Sequence, residues 1–222
     1  MNYLGVANLQ GIIMKSYLFG SLLLIFSMNS IASVVLYGDI EDRGAGFYQL
    51  TNNQPNAETD AYLESELGLN SGALDEIAKS LDGSGTDRYA NATYGSAMTD
   101  ALEISFGEVF SFDWTLSGAT TSDFERENFR DFAFISLNLV DNSDNPLFSS
   151  SYSFADVLNN PNDSPSASDN FTWIATGSGT LTYTIGLMDA NNFNIGESVI
   201  ESSLNISNIH VVPLPGAIWL FT

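Results

Sequence analysis

Apolar and polar residues alternate through much of the second half of this chain, and this period of two constrains the fold more than any other feature. Aromatic residues and leucine take every second position from Phe110 to Leu116, and Leu181–Leu187 repeats the pattern. Successive side chains of a strand point to opposite faces, so such a period indicates strands with one buried face. The nearly continuous apolar run Phe132–Val140 instead predicts a central strand that is buried on both faces.

Clusters of Asp, Asn, Ser, Gly and Pro separate these apolar segments and have the composition of turns. Many short strands with little helix predict an all-β fold, an antiparallel β-sandwich that is jelly-roll-like. We expect one domain over residues 33–212, with one short helix. The side chains predicted to share its core are Phe110, Phe112, Trp114, Phe134, Leu181, Tyr183, Ile185 and Ile206.

Two local features complete the predicted domain. The helix is expected over Ser71–Leu81, where apolar residues recur at helical spacing and Ser71 or Asn70 is placed to cap the first turn. In the last strand, Leu204–Val212, the apolar positions change parity halfway. One extra residue at Ser207 or Asn208 restores the inward face, so the pattern predicts a β-bulge there.

The start of the chain has the pattern of a secretory signal peptide. Lys15 precedes an apolar run from Tyr17 to Ile31, and small residues lead to the predicted cleavage between Ala32 and Ser33. The run is shorter than the about 20 residues of a membrane span. We therefore expect residues 1–32 to be removed on export, and Met14 to be the true initiator because the residues before it carry no charge.

The charge balance excludes several classes of partner. The chain has 27 acidic and 6 basic residues and a net charge of −21. Such a charge repels nucleic acid and anionic membranes, whereas it suits an exported, soluble protein or one that binds divalent cations. The chain has no cysteine, which excludes disulfides and thiol chemistry.

Catalytic residues are not indicated. A serine–histidine–acid triad would have to use His210, the single histidine of the chain, and zinc sites built from histidine and cysteine are excluded by the same count. Glu103, Asp113 and Asp131 lie on or beside strands, but nothing in their spacing selects the pair of carboxyls that glycoside hydrolysis requires. We therefore expect no enzyme activity.

Calcium is the one cofactor that the sequence offers, as a structural ion. It takes six to eight hard oxygen ligands, often from one loop. Three acidic stretches have the composition, namely Asp39–Asp42, Asp82–Asp87 and Asp141–Asn145, although plain turns have it too. The second alternates small and oxygen-bearing residues, and its candidate ligands are Asp82, Ser84, Thr86 and Asp87. No other cofactor is expected.

The end of the chain reads Val-Pro-Leu-Pro-Gly-Ala-Ile-Trp-Leu-Phe-Thr from Val212 to Thr222. It resembles the PEP-CTERM sorting signal of Gram-negative bacteria, whose usual form is V-P-x-P-G-A followed by an apolar span and a basic cluster. The residues that match the motif are Val212, Pro213, Leu214, Pro215, Gly216 and Ala217. Because neither the full span nor the cluster follows, we expect the reading frame to continue past Thr222, with residues 213–222 as the start of the sorting segment.

A weaker resemblance covers Gly95–Val212, which looks like the β-sandwich ectodomains common among PEP-CTERM proteins. Together the two resemblances imply an exported, non-enzymatic protein of the cell surface or extracellular matrix. They also imply processing by an exosortase, with membrane contact only transiently through the C-terminal segment.

The alternative is a carbohydrate-binding β-sandwich module that acts on extracellular polysaccharide. Exposed aromatic side chains on a sandwich face would favour this alternative because they stack on sugar rings. Trp114 and Trp173, however, are in phase with apolar neighbours, so we expect both of them in the core.

Overall fold

The computed structural model of the protein describes residues 34–53, 56–81, 91–118, 131–156, 166–191 and 202–213. Within these ranges the chain forms eleven strands and two helices. In chain order they are β1 Val35–Tyr37, β2 Asp39–Asp42, β3 Tyr48–Thr51, β4 Glu58–Thr59, α1 Asp60–Glu66, α2 Ala73–Leu81, β5 Asn91–Ile104, β6 Val109–Gly118, β7 Phe132–Val140, β8 Pro146–Asp156, β9 Ser166–Ile174, β10 Gly179–Asn191 and β11 Ser202–Val212.

The strands form two antiparallel sheets. Sheet A has the order β1-β5-β10-β7-β8, with β4 paired to β5, and sheet B has the order β2-β3-β11-β6-β9. Without β1, β2 and β4, two four-stranded sheets remain, β5-β10-β7-β8 and β3-β11-β6-β9. The chain passes between them in the manner of a jelly roll. The predicted fold class, an antiparallel jelly-roll-like sandwich, is confirmed.

The main core lies between the two sheets and is rich in aromatic rings. Six of the predicted core residues are buried in it, and Trp114 is half-buried against it. The Phe112 and Phe171 rings stack with their centres 4.9 Å apart, and Phe110 packs on Tyr183 at 4.8 Å. The six are Phe110, Phe112, Leu181, Tyr183, Ile185 and Ile206.

Phe134 was expected in the same core, and its predicted placement is wrong. It is fully buried, but in a second cluster between the outer face of sheet A and the helices. The cause is the alternation along β7, where Ala133 and Ile135 point towards sheet B and Phe132 and Phe134 point away from it. Gly186 lies opposite Phe134 on β10, and a Cβ atom there would meet the Phe134 ring at 2.2 Å.

The structure has two short helices on sheet A, whereas the sequence predicted one helix. Helix α2 begins at Ala73, and its first turn is capped by the buried Glu64 of α1 and not by Ser71 or Asn70. The Glu64 carboxylate accepts hydrogen bonds from the backbone N–H groups of Gly72 and Leu74, each at 2.8 Å. A carboxylate at this end also suits the helix dipole.

The acidic stretch Asp39–Asp42, one of the three considered for calcium, forms strand β2 and not a loop. Ile40 pairs with Leu50 of β3 and packs against the main core, which gives the stretch one inward side chain. The hydrogen bond from Arg43 N to Phe47 O closes the β2–β3 turn.

The predicted bulge in β11 is confirmed. Ser207 pairs with Asp113 and His210 pairs with Ser111, so two residues of β11 oppose one residue of β6. Asn208 takes a left-handed backbone with φ of 54°, which asparagine tolerates better than most residues. Strand β11 then ends at Val212.

The predicted signal peptide with its cleavage site at Ala32 and Ser33, and residues 214–222, lie outside the described residues. Among the helices that the structure describes, neither α1 nor α2 has the length and apolar character that crossing a bilayer would need.

Phe112 provides a test of the main core. Its ring is fully buried and contacts Phe110, Phe154 and Phe171. Phe112→Ala should lower the free energy of unfolding by about 3–5 kcal/mol because it leaves a large cavity. Urea denaturation would measure this, with the exposed Thr172→Ala as the control. Equal midpoints for both variants would contradict the assigned core.

Candidate functional site

The outer face of sheet B is a polar surface, because α1 and α2 both pack on sheet A. Strand pairing aligns its outward side chains in rows that cross β9, β6 and β11, and two of the rows continue onto β3 and β2. Serine, threonine, asparagine and acidic residues fill these rows. The rows are Ser166, Ser117, Ser203, Thr51 and Asp39; Ser168, Thr115, Asn205, Gln49 and Glu41; Asn170, Asp113 and Ser207; and Thr172, Ser111 and His210.

Asp113 lies at the centre of this face, held by two asparagines. Asn170 of β9 donates from its Nδ2 to Oδ1 at 2.8 Å, and Asn208 donates to Oδ2 at 2.6 Å. Asn170 also hydrogen-bonds the Ser111 hydroxyl and the Phe112 carbonyl. The bulge positions Asn208 for its contact. We call Asp113, Asn170, Asn208 and His210 the Asp113 cluster.

The cluster favours an ionised carboxylate. Hydrogen bonds from Asn208 and Asn170, together with the nearby His210, lower the pKa of Asp113 below its usual value. The carboxylate is therefore an acceptor down to acidic pH. The single histidine of the chain is exposed on the next row, with Nδ1 donating to the Asn208 carbonyl.

An open depression of about 460 Å³ lies beside the cluster. It is lined by Asp113, Asn208, Ile209 and His210, together with Ala45 and Gly46 of the β2–β3 turn. Phe47 follows Gly46 directly. The Arg43 guanidinium, which also contacts the outward residues Glu41 and Gln49, lies 5.8 Å from the centre of the Phe47 ring. The half-buried Phe47 ring therefore belongs to the outer face of sheet B.

These groups can bind a ligand that carries hydroxyl groups. The carboxylate accepts hydrogen bonds, amides and imidazole both donate and accept, and an aromatic ring offers an apolar surface.

The other carboxyls considered for catalysis are elsewhere. Glu103 is exposed on sheet A and accepts a hydrogen bond from the Thr180 hydroxyl at 2.8 Å. Asp131 is buried at the start of β7. The fold therefore does not assemble Glu103, Asp113 and Asp131 into one site.

The two tryptophans expected in the core are half-buried at its edge. They pack on aromatic side chains of the edge strand β8, Trp114 from β6 and Trp173 from β9. Trp173 packs on Phe148 at 5.2 Å, and Trp114 packs on Phe154 at 5.5 Å. Both rings have their apolar faces in contact with protein, so neither forms a free platform on the outer face of sheet B.

The acidic loops considered for calcium receive separate outcomes. Asp82, Ser84, Thr86 and Asp87 lie outside the described residues. The Asp141 carboxylate accepts hydrogen bonds from the Asn145 side-chain amide and from the backbone N–H groups of Asn145 and Ser143, which close a local turn and lower the pKa of Asp141. Within the described ranges no three His, Asp or Glu side chains converge as metal ligands would.

Asp131 belongs to a buried polar cluster that joins several strand ends. It accepts hydrogen bonds from Asn52 at 2.8 Å and from the Ser202 hydroxyl, and Asn52 in turn accepts from the Ser202 backbone at 2.8 Å. Burial, and then the neighbouring Asp189 carboxyl, raise the pKa of Asp131 well above its usual value. Asp189 also accepts from Thr93 at 3.0 Å.

The raised pKa gives Asp131 a predicted effect on stability. Because the folded state holds the proton more tightly than the unfolded chain, stability should fall as pH rises from about 4 towards the folded pKa. Asp131→Asn mimics the protonated carboxyl, so it should stabilise the fold at pH 8 and flatten this dependence. Thermal unfolding from pH 4 to 9 would measure both, with Asp144→Asn as the control. A large loss of stability at pH 8 would show that Asp131 acts as an anion.

A second groove, of about 610 Å³, lies on the outer face of sheet A beyond the helices. One wall is formed by serines and Asn138 of β7 and β8, and the other by Leu67, Leu69 and α2. Ser151 donates to Ser136 at 2.9 Å across its floor. The groove holds neither a centred carboxylate nor an imidazole, so we favour the Asp113 cluster as the functional site.

Sequence reasoning missed most of this site. Asp113 and His210 were considered only for catalysis, and Phe47, Asn170 and Asn208 were not singled out. The predicted bulge at Ser207 or Asn208 was the available signal, because bulges often redirect a side chain at a functional site.

No protein-family model matches the chain, and no curated protein is significantly similar to it. Three solved structures resemble it in part. A CBM4 structure has a TM-score of 0.37 and 8% identity, covering 82% of this chain and 86% of that one. TmCBM61 in complex with β-1,4-galactotriose has a TM-score of 0.32 and 10% identity, covering 83% of this chain and 90% of that one. The enzymatically active domain of bacteriophage CBA120 tailspike protein 4 has a TM-score of 0.33 and 10% identity, covering 82% of this chain and 19% of that one. At these TM-scores nothing follows about the ligand of this chain.

Proposed function

We propose that this protein is a non-enzymatic carbohydrate-binding module that binds polysaccharide across the outer face of sheet B. One observation carries the proposal. Asp113 is held by Asn170 and Asn208 beside His210 in an open depression, with the Phe47 ring on the same face. Carboxylate, amide and aromatic groups together match a sugar ring, which has hydroxyl groups at its rim and apolar faces.

The arrangement also suits binding because it is already organised. Two asparagine side chains hold the carboxylate from opposite strands, and β6, β9 and β11 form a hydrogen-bonded frame beneath it. A ligand therefore finds its acceptor in place, which reduces the entropy lost on binding.

Asp113→Ala tests the proposal. A hydrogen bond to a charged group is worth about 1.5–3 kcal/mol, so the variant should bind polysaccharide about 10- to 100-fold more weakly. Affinity electrophoresis of the full chain in native gels that contain soluble polysaccharide would measure this. Glu103→Gln removes one negative charge from sheet A, so it should migrate like Asp113→Ala without polysaccharide and be retarded like the parent with it.

Two outcomes would count against this assignment. If neither the parent nor Glu103→Gln is retarded by any of several polysaccharides, the chain is not a carbohydrate-binding module. If Asp113→Ala binds as tightly as the parent and unfolds at the same temperature, the site lies elsewhere.

We further propose that the module is exported and sorted to the cell surface through its PEP-CTERM-like segment. The observation in favour is the end of β11 at Val212, with Pro213 exposed directly after it. Proline has no backbone N–H and cannot extend a strand in the interior of a sheet. From Pro213 onward the sorting motif would then follow the last strand without interrupting the fold, where an exosortase could reach it.

This second proposal is tested in cells that contain an exosortase. Mass spectrometry of the mature protein should find the chain cut near the motif and missing residues 1–32. Pro213→Ala with Pro215→Ala should reduce processing, whereas Pro146→Ala at the start of β8 should not. Unchanged processing in the double variant, or a mature chain that keeps its signal peptide, would contradict the proposed route.

A further inference from the structure

We infer that the polysaccharide bound by sheet B is electrically neutral, and that anionic polymers such as polyuronates are rejected by the charges of the same face. The inference depends on the proposed carbohydrate-binding function and narrows it to one class of ligand. It follows from the charges that surround the Asp113 cluster and from the course of the rows across the sheet.

Three of the outward residues in these rows are acidic. Asp39 and Glu41 of β2 point outward in the same rows as Thr51 and Gln49, and Asp113 lies two strands away from Gln49. The nearest hydroxyls and amides are neutral. A chain that lies along the row through Asp113, or along either of the rows that reach β2, therefore passes one carboxylate.

The one described arginine of the face already has partners there. Arg43 forms an ion pair with Glu41 at 3.0 Å, donates to Gln49 and lies 5.8 Å from the centre of the Phe47 ring. The other described ion pair, between Lys79 and Glu76, lies on helix α2 against sheet A. No described lysine or arginine thus remains on the face to receive the carboxylate of an anionic sugar.

The row through Asp113 fits an extended chain of sugar units. Asn170 pairs with Asp113 and Asp113 pairs with Ser207, while Phe47 lies one residue beyond Tyr48, the partner of Ile206. The row therefore spans four strands, or about 14 Å at about 4.8 Å per strand. One end offers the Phe47 ring and the other offers Asn170, with the carboxylate between them.

Repulsion between carboxylates determines how strongly the face should prefer neutral over anionic polysaccharide. A ligand carboxylate about 5 Å from Asp113 would be disfavoured by about fourfold at aqueous dielectric, and the more distant Asp39 and Glu41 would raise the total towards about tenfold. Screening weakens the effect because the Debye length falls from about 10 Å at 0.1 M salt to about 3 Å at 1 M. Neutral ligands should show little salt dependence.

The experiment compares hydroxyethylcellulose, galactan and dextran, which are neutral, with alginate, which is a polyuronate. Binding of the full chain is measured at pH 8 in 0.05 M and 0.5 M sodium chloride, by affinity electrophoresis and titration calorimetry. At least one neutral polymer should bind with less than a twofold change between the salts. In 0.05 M sodium chloride, alginate should bind at least tenfold more weakly than that neutral polymer.

A charge variant separates repulsion from shape. Asp39→Asn with Glu41→Gln removes two carboxylates and releases Arg43, so it should raise alginate affinity at low salt by about tenfold while changing the affinity for the neutral polymer less than threefold. The control variant Glu103→Gln with Glu76→Gln removes two carboxylates from the side of sheet A. It should raise neither the affinity for alginate nor the affinity for the neutral polymer.

The outcomes are distinguishable from failure of the proposed function. Binding of no polymer would overturn both proposals. Equal binding of alginate and a neutral polymer by the parent, or alginate binding that is unchanged in the double variant of sheet B, would overturn the neutral-ligand inference while carbohydrate binding stands.

Discussion

Sheet A is covered on one face and on part of the other, whereas sheet B is covered on one face. The proposed binding surface depends on this difference. Both sheets contribute one face to the aromatic core between them. Sheet A also buries part of its second face, where Phe132, Phe134 and Met188 pack under α1 and α2. In the described ranges, no such apolar cluster lies on the outer face of sheet B. Its outward side chains are polar because they meet solvent, and this leaves them available to a ligand.

A small irregularity in one strand then gives the polar face a centre. Without the bulge, the apolar residues Ile209 and Val211 would point outward and the alternation of β11 would be lost. The extra residue keeps both of them against the core, and Asn208 reaches Asp113 from its left-handed backbone. One local feature thus preserves the packing of the strand and places an amide on the central carboxylate.

Periodicity was sufficient to predict the fold class, because inward residues such as Phe110 and Ile185 recur at every second position. It was insufficient in β7, where odd and even positions are both apolar and the pattern does not show which side chains face sheet B. Phe134 was therefore assigned to the wrong face. Helix α1 was missed because Leu63 is its only buried apolar residue, while its other buried side chain is the charged Glu64. The cap of α2 was also missed, since Glu64 serves a helix that begins nine residues later.

The site was harder to predict than the fold because strand pairing assembles it from distant parts of the sequence. Asn170 is 57 residues from Asp113, and Asn208 is 95 residues away. No local pattern relates these positions. The bulge could be predicted from the sequence, but its partner on β6 could not, since that partner follows from the order of strands in sheet B.

The central claim is that ligand contacts the outer face of sheet B, and nuclear magnetic resonance tests it most directly. Titration of the ¹⁵N-labelled full chain with a neutral oligosaccharide should shift the amide signals of Phe47, Asp113, Asn170, Asn208 and His210 together, with one common dissociation constant. Signals of the serines of β8 in the sheet A groove should not move. Shifts confined to Ser149–Ser153 and α2, with the sheet B signals unchanged, would contradict the account.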